Sequence, residues 1–199
     1  VSFGGGFGAD EKNVTMNIFQ LSQGGLTLGQ KDYYVNNDEA TVAIREAFKK
    51  YIADMFKLYG FSAEQAEEKA QAVFQHETML ALISKSATEL RNPQANYNKM
   101  TLKEFQSSYP NLHLEEMCNA EGIKSEFIQD MIVGQPAFME GLDKITAAES
   151  AATLKALMEW DVITSSAAYL TDEIRECNFD FFGKTMSGRK EDYPLWKRA

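Results

Sequence analysis

The feature that most constrains the fold is a helical repeat of apolar side chains that begins near residue 44. Apolar residues recur there at steps of three and four positions, which places them on one face of an α-helix. They are Ile44, Phe48, Tyr51, Ile52, Met55 and Leu58. Asn36 or Asn37 can cap the start of this helix, and Gly60 can end it. The sequence therefore predicts a long amphipathic helix that needs a partner surface.

The rest of the chain contains signals for further helices. Some are capping residues with Glu or Gln three positions later, and others are Pro or Thr at a first turn. The predicted starts are Ser62 with Gln65, Thr101 with Glu104, Pro136, Thr146 with Glu149, and Thr171. The helix that begins at Ser62 is predicted to run to about Leu90, and the last one to about Met186. A weaker pattern indicates a helix in 112–122, whereas 127–133 fits a strand or a helix equally well.

The first 35 residues have a different pattern, rich in glycine. Asn17–Leu21 and Gly25–Leu28 indicate short strands around the turn signal Gln23–Gly25. The letters of Gly4–Ala9 match a GxGxxA dinucleotide loop, but no strand precedes them, so we interpret the segment as flexible or as a strand edge. The predicted fold class is mostly α, a multi-helix, bundle-like lobe with a small β-hairpin region near the N-terminus. We assign residues 1–199 to one helical lobe, with strands and loops in 1–35, helices in 36–186 and a loop in 187–199.

Charge and hydropathy exclude several function classes. The net charge is −9, which repels nucleic-acid backbones and anionic lipid, so no nucleic-acid partner and no membrane contact are expected. No apolar run approaches the roughly 20 residues that span a bilayer. Cys118 and Cys177 are too far apart in sequence for a CxxC motif, and we expect two thiols, with one long-range disulfide as the alternative.

The chain contains half of a zinc peptidase motif. His76-Glu77 has the first two letters of H-E-x-x-H, in which two imidazoles one helical turn apart bind zinc, but Leu80 stands at the position of the second imidazole. The only other histidine is His113, and Glu126–Asp130 matches an E-x-x-x-D ligand motif without the imidazole pair it would serve. We therefore predict no catalytic residue and no metal ligand in this chain.

Short strings spread over nearly the whole chain are similar to the N-terminal region of one peptidase family. They are Gly8–Asn13, Gln23–Leu28, Asp32–Tyr34, Ala87–Pro93, Tyr97–Thr101, Leu157–Trp160, Phe182–Lys184, Ser187-Gly188 and Pro194–Arg198. In order and spacing they resemble the neprilysin, endothelin-converting enzyme and bacterial oligopeptidase O family of zinc metalloendopeptidases. Animal members follow the last string with a disulfide cysteine, where this chain has Ala199, so the resemblance is to a bacterial member.

The resemblance implies two mostly helical lobes around a central cavity. The zinc and its H-E-x-x-H helix belong to a catalytic lobe C-terminal to the region matched here. This chain is then a noncatalytic capping lobe that restricts access to small peptides, and its partners are the catalytic lobe of the same polypeptide and peptide substrates. The parent would be an enzyme, and this chain is predicted to be inactive alone and to hold no cofactor.

The alternative is a free-standing helical binding or scaffold protein that has lost the catalytic half. The resemblance also implies an extracytoplasmic location, periplasmic or membrane-anchored, with the cytoplasm as the alternative. Aromatic and polar residues of the loops are the candidate cavity-lining or loop-anchoring side chains. They are Tyr33, Tyr34, Arg91, Tyr97 and Asn98.

Overall fold

The computed structural model describes residues 2–193, and helices dominate this range, as predicted. The helices are α1 Asp32–Val35, α2 Glu39–Leu58, α3 Ala63–Ile83, α4 Pro93–Asn96, α5 Leu102–Ser108, α6 Leu114–Ala120, α7 Pro136–Ala148, α8 Ala151–Ser166 and α9 Asp172–Phe179. The strands are β1 Phe3–Asp10, β2 Asn13–Gln23, β3 Lys99–Thr101 and β4 Asp130–Val133. The predicted fold class, a mostly α lobe with a small β region near the N-terminus, is confirmed.

The four strands form one sheet in the order β1-β2-β4-β3. β1 and β2 are an antiparallel hairpin, β2 runs parallel to β4, and β4 pairs with β3 in antiparallel fashion. The predicted strand Asn17–Leu21 lies inside β2, and Gly4–Ala9 forms part of β1 at the edge of the sheet, in agreement with the strand-edge interpretation. The segment 127–133, which the sequence left open, ends in strand β4.

The prediction of a strand over Gly25–Leu28 is wrong. Gly25 has a positive φ of 81°, a conformation that glycine adopts readily and that does not continue a strand. The backbone N–H of Gly29 then donates to the carbonyl of Leu26 at 2.9 Å, which closes a turn. Gly25 also allows the Leu80 side chain to approach the backbone closely, because a Cβ at this position would lie 2.9 Å from a Leu80 side-chain carbon.

Most predicted helix caps are confirmed. Ser62 with Gln65 and Thr101 with Glu104 form reciprocal capping boxes. The cap of α2 is Asp38 rather than Asn36 or Asn37, because its Oδ1 accepts the backbone N–H three residues later at 3.0 Å. Pro136 begins α7 and Thr171 precedes α9, which continues through a π-helical turn, Asp180–Thr185.

Two predicted helix limits are wrong. Thr146 does not begin a helix, because α7 continues to Ala148 and Ser150 caps α8 by accepting the backbone N–H of Thr153 at 3.1 Å. The helix that follows Ser62 ends at Ile83, not near Leu90. Its end is set by a distant residue, since the backbone N–H of Lys85 donates to the side chain of Gln23 at 2.9 Å. The predicted loop 187–199 is described only to residue 193, so Pro194–Arg198 and Ala199 lie outside the described residues.

The described residues form two compact units. The first consists of 2–31 and 79–149, and contains the sheet together with α4 to α7. Its core joins apolar residues of the sheet to those of α5, α6 and α7. The largest fully buried side chains there are Leu21, Leu80, Phe105, Ile128, Met131, Phe138, Met139 and Leu142.

The second unit consists of 32–78 and 150–193 and has an aromatic core. Phe48 and Tyr51 of α2 pack against Trp160 of α8 and Phe181 of the π-helical turn. The rings of Tyr51 and Phe181 are stacked, with centroids 4.8 Å apart and planes 9° apart. Most of the predicted apolar stripe of the first helix therefore faces this core, whereas Leu58 at its end is 41% exposed. Each buried ring contributes about 1.5–3 kcal/mol.

Candidate functional site

The His76-Glu77 pair lies buried in α3, within the second unit. The hydroxyl of Tyr34, on α1, donates a hydrogen bond to Oε2 of Glu77. The ring of Tyr34 packs against Phe48 and Phe74, each at a centroid distance of 6.3 Å. The carboxylate is therefore bound by a phenol within an aromatic cluster, an arrangement that anchors α1 to α3.

The donor set does not fit a catalytic zinc site. Such a site needs three well-placed protein ligands, and within residues 2–193 no group of three or more His, Cys, Asp or Glu side chains could hold a metal ion. His113 is exposed, with Nδ1 3.9 Å from Oε1 of Glu116. Glu126 belongs to a one-turn 3-10 helix, whereas Asp130 begins β4, so the E-x-x-x-D letters do not lie on one helical face.

Tyr33 and Tyr34 lie next to each other on α1 but differ in environment. Tyr34 is buried, and its backbone carbonyl accepts a hydrogen bond from Nη1 of Arg45 at 2.8 Å. Tyr33 is half-buried. Of the two predicted site residues on this helix, only Tyr34 is thus joined to a buried charged group.

The other three predicted site residues lie on the loop that leads into β3, in the first unit. The Tyr97 hydroxyl donates to Oδ1 of Asp10 at 2.9 Å, and the amide of Asn98 donates to the carbonyl of Val133 at 3.0 Å. Arg91 is exposed at the end of a 3-10 helical turn, Glu89–Arg91. The structure therefore brings Tyr97 and Asn98 to the sheet and leaves Arg91 at the surface.

Asp10 at the end of β1 is the charged centre of this loop contact. The backbone N–H of Lys12 and the hydroxyl of Tyr97 both donate to its carboxylate and hold the pKa of Asp10 below its usual value. Burial and the neighbouring Asp10 raise the pKa of Tyr97. The Nζ of Lys12 lies 4.1 Å above the Tyr97 ring, so a cation–π contact closes the arrangement.

Two side-chain amides that the sequence analysis missed, the buried Gln135 and the half-buried Gln23, bind chain segments next to this loop. Oε1 of Gln135 accepts the backbone N–H of Gln23 at 2.8 Å, and its Nε2 donates to Oδ1 of Asn96 at 3.2 Å. The side chain of Gln23 exchanges two hydrogen bonds with the backbone of Lys85, each 2.9 Å long. Gln23 lies in one of the strings that carried the family resemblance, and Gln135 directly precedes Pro136. A polar residue flanked by predicted core is the signal that could have identified them.

A cavity of about 180 Å³ lies beside these amides. Its lining includes Gln20, Leu21, Asn96, Tyr97 and Gln135. Gln20, Asn96, Tyr97 and Gln135 already form hydrogen bonds with the protein itself. The arrangement can hold chain segments in register.

Both cysteines are free thiols, as expected. Burial raises the pKa of Cys177 to about 11 and also raises that of Cys118. Since a thiolate is the reactive form, neither thiol is activated as a nucleophile at neutral pH.

Comparison with known proteins identifies the family. The model of the N-terminal part of peptidase family M13 matches residues 1–199, and the chain therefore belongs to peptidase family M13. It corresponds to the N-terminal domain of these zinc metalloproteases. This result confirms the resemblance to neprilysin and endothelin-converting enzyme.

The relatives and solved structures are much longer than this chain. Neprilysin-2 of Drosophila melanogaster is 28% identical over 195 residues, which are 96% of this chain and 25% of the relative. Endothelin-converting enzyme 1 of Homo sapiens is 24% identical over 192 residues, which are 95% of this chain and 25% of the relative. The inhibitor complex of the Mycobacterium tuberculosis zinc metalloprotease Zmp1 has a TM-score of 0.94 at 25% identity, and covers 100% of this chain and 30% of that one. The chain thus spans about a quarter of the length of the curated relatives it matches.

One property of the helices bears on the membrane. Among residues 2–193, none of the helices combines the length and the apolar character needed to cross a bilayer.

Proposed function

We propose that this chain is the noncatalytic capping lobe of an M13 zinc metalloendopeptidase. Residues 1–199 act as one helical lobe that walls a cavity and restricts access to small peptides. The observation that carries the proposal is the interrupted motif in α3. Leu80 replaces the second imidazole, and the Glu that would polarise a metal-bound water instead accepts a hydrogen bond from Tyr34.

The surface of α8 supports pairing with further polypeptide. Its inner face buries Ala156, Trp160 and Ile163, whereas Met158 and Val162, on its outer face, are 71% and 63% exposed. A helix that is apolar on both sides is typical of a position inside a larger protein. Because the M13 relatives are about four times as long as this chain, we assign the outer face of α8 to contact with the remaining polypeptide.

The remaining parts of the proposal follow from the family. Zinc is held by a catalytic lobe C-terminal to this chain, which supplies the metal-bound water and the general base. Peptides are the substrates, and the location is extracytoplasmic, either periplasmic or membrane-anchored. Tyr34, Tyr97 and Asn98 position the loops of the cavity wall through the contacts described above, with Tyr33 and Arg91 available to face the cavity.

A peptidase assay on the purified chain tests the proposal. We expect no zinc-dependent cleavage of a mixture of short peptides, with or without added Zn²⁺. Cleavage that is restored by zinc after chelation, abolished by His76→Ala and retained by the matched exposed variant His113→Ala would contradict it.

A further inference from the structure

A second cavity, of about 350 Å³, lies in the second unit beside α9 and the π-helical turn. Its lining includes two arginines, Arg175 and Arg189, and the rings of Phe179 and Phe182. Two guanidinium groups at one cavity are notable in a chain whose net charge is −9. Nothing in the capping role requires this cavity.

Arg189 is held by aromatic rings rather than by hydrogen bonds of its side chain. Its Cζ lies 5.2 Å from the ring centroid of Phe179 and 4.1 Å from that of Tyr193. Contacts with ring faces leave the in-plane N–H groups of a guanidinium available. The Nη2 of Arg189 lies 3.7 Å from Oδ1 of Asp192, which is an ion-pair distance but too long for a hydrogen bond.

Arg175 supplies a buried donor with no acceptor. Its Nη2 pairs with Asp172 at the surface, but its Nε is buried and has no hydrogen-bond partner in the part of the chain that the structure describes. A buried N–H without an acceptor is destabilising and is rare in folded proteins, so Arg175 would gain a hydrogen bond by turning its Nε toward an acceptor in the cavity.

The amide of Asn178 adds a further donor to the same cavity. Its Oδ1 accepts the hydroxyl of Tyr51 at 2.8 Å, and this contact turns the acceptor side of the amide toward Tyr51. The NH₂ group lies on the other side of the amide, and because Asn178 lines the cavity this group can donate to a ligand there.

We propose that this cavity binds a carboxylate attached to an apolar group, such as the carboxylate of a peptide with an aromatic neighbour. Two guanidinium groups and one amide bind the planar carboxylate through in-plane N–H donors. The rings of Phe179 and Phe182 contact the apolar part. Asp192, which also lines the cavity, competes with the ligand for Arg189. The proposal is independent of the capping role.

The test is an NMR titration of the ¹⁵N-labelled chain with N-acetylphenylalanine, with its uncharged amide N-acetylphenylalaninamide as the matched ligand control. We expect saturable shifts of the arginine Nε–H signals with the acid and none with the amide. Arg189→Met and Arg175→Met should each weaken binding by about tenfold, the scale of a lost charge-assisted hydrogen-bond pair. Asp192→Asn should strengthen binding because it removes the competing carboxylate.

Lys184→Met is the matched control variant. Lys184 lies on the π-helical turn that carries Phe182, has the same charge as the arginines and places its Nζ 5.7 Å from the centroid of the Phe179 ring, but it does not line the cavity. Its replacement should change the affinity by less than about twofold, as for an exposed charge. Arg189→Lys keeps the charge and loses the planar donors, so it should bind more weakly than the parent, and circular dichroism checks that each variant is folded.

Three results would overturn the proposal. If the amide binds as tightly as the acid, the carboxylate is not recognised. If Lys184→Met loses as much affinity as Arg189→Met, binding depends only on the net charge of the chain. Inorganic phosphate binding as tightly as N-acetylphenylalanine would assign the cavity to a simple oxyanion without an apolar contact.

Discussion

The two units of this chain are stabilised in different ways. The first unit has a small sheet whose neighbouring loops are held by the side-chain amides of Gln23 and Gln135. The second has a core of packed rings and one buried carboxylate, Glu77, bound by Tyr34. Hydrogen bonds between particular atoms fix loops in one position, whereas ring packing tolerates adjustment. We therefore infer that the first unit depends on exact polar partners and the second on apolar volume.

The largest expected effect is in the aromatic core. Phe48→Ala should lower the free energy of unfolding by about 3–5 kcal/mol, because it removes a fully buried ring and leaves a cavity. Urea denaturation followed by circular dichroism measures the change. Tyr169→Ala, at an exposed ring of the same unit, is the control and should change the free energy of unfolding by less than about 0.5 kcal/mol.

The buried carboxylate of the second unit should show a smaller but clear effect. Tyr34→Phe removes one donor to Glu77 and should lower the free energy of unfolding by about 1–3 kcal/mol. Tyr33→Phe on the same helix is the matched control and should have little effect. Equal losses in the two variants would show that the hydrogen bond to Glu77 does not stabilise this unit.

In the first unit, Gln135→Ala should lower the free energy of unfolding by about 1–2 kcal/mol, because the backbone N–H of Gln23 loses its acceptor. Gln94→Ala, at an exposed amide of helix α4, is the control. Amide hydrogen exchange distinguishes the two units, since Gln135→Ala should accelerate exchange at Gln23. Unchanged exchange there would contradict the role of the side-chain amides.

The smallest effect concerns pH. The pKa of Asp10 is lower in the folded chain than in the unfolded one, so its contribution to stability is complete above the unfolded value of about 4 and is lost as pH falls through the folded value. Asp10→Asn should therefore flatten the acid side of a plot of Tm against pH.

The features that the sequence could predict depend on residues that lie close together in the chain. The stripe of α2 and the capping boxes at Ser62 and Thr101 depend on residues within a few positions of each other. Both capping boxes and the stripe up to Met55 were confirmed, whereas Leu58 is exposed. The start of α8 was placed wrongly because Thr146 and Ser150 offer the same local signal. Packing of α7, whose glycine at 141 lies against Ile83, selects between them.

What the sequence could not predict depends on distant partners. The parallel pairing of β2 with β4 joins residues more than 100 positions apart, and the end of α3 depends on Gln23. The candidate residues Tyr97 and Asn98 were identified from the loop composition, but their partners Asp10 and Val133 were not, because no periodicity connects these segments.

The most direct test of the central claim is a measurement of bound metal. The purified chain is equilibrated with Zn²⁺, dialysed against metal-free buffer and analysed for zinc by mass spectrometry. We predict that no stoichiometric Zn²⁺ is retained, because α3 carries one imidazole where a zinc helix needs two. One tightly held Zn²⁺ per chain, lost in His76→Ala, would contradict the account.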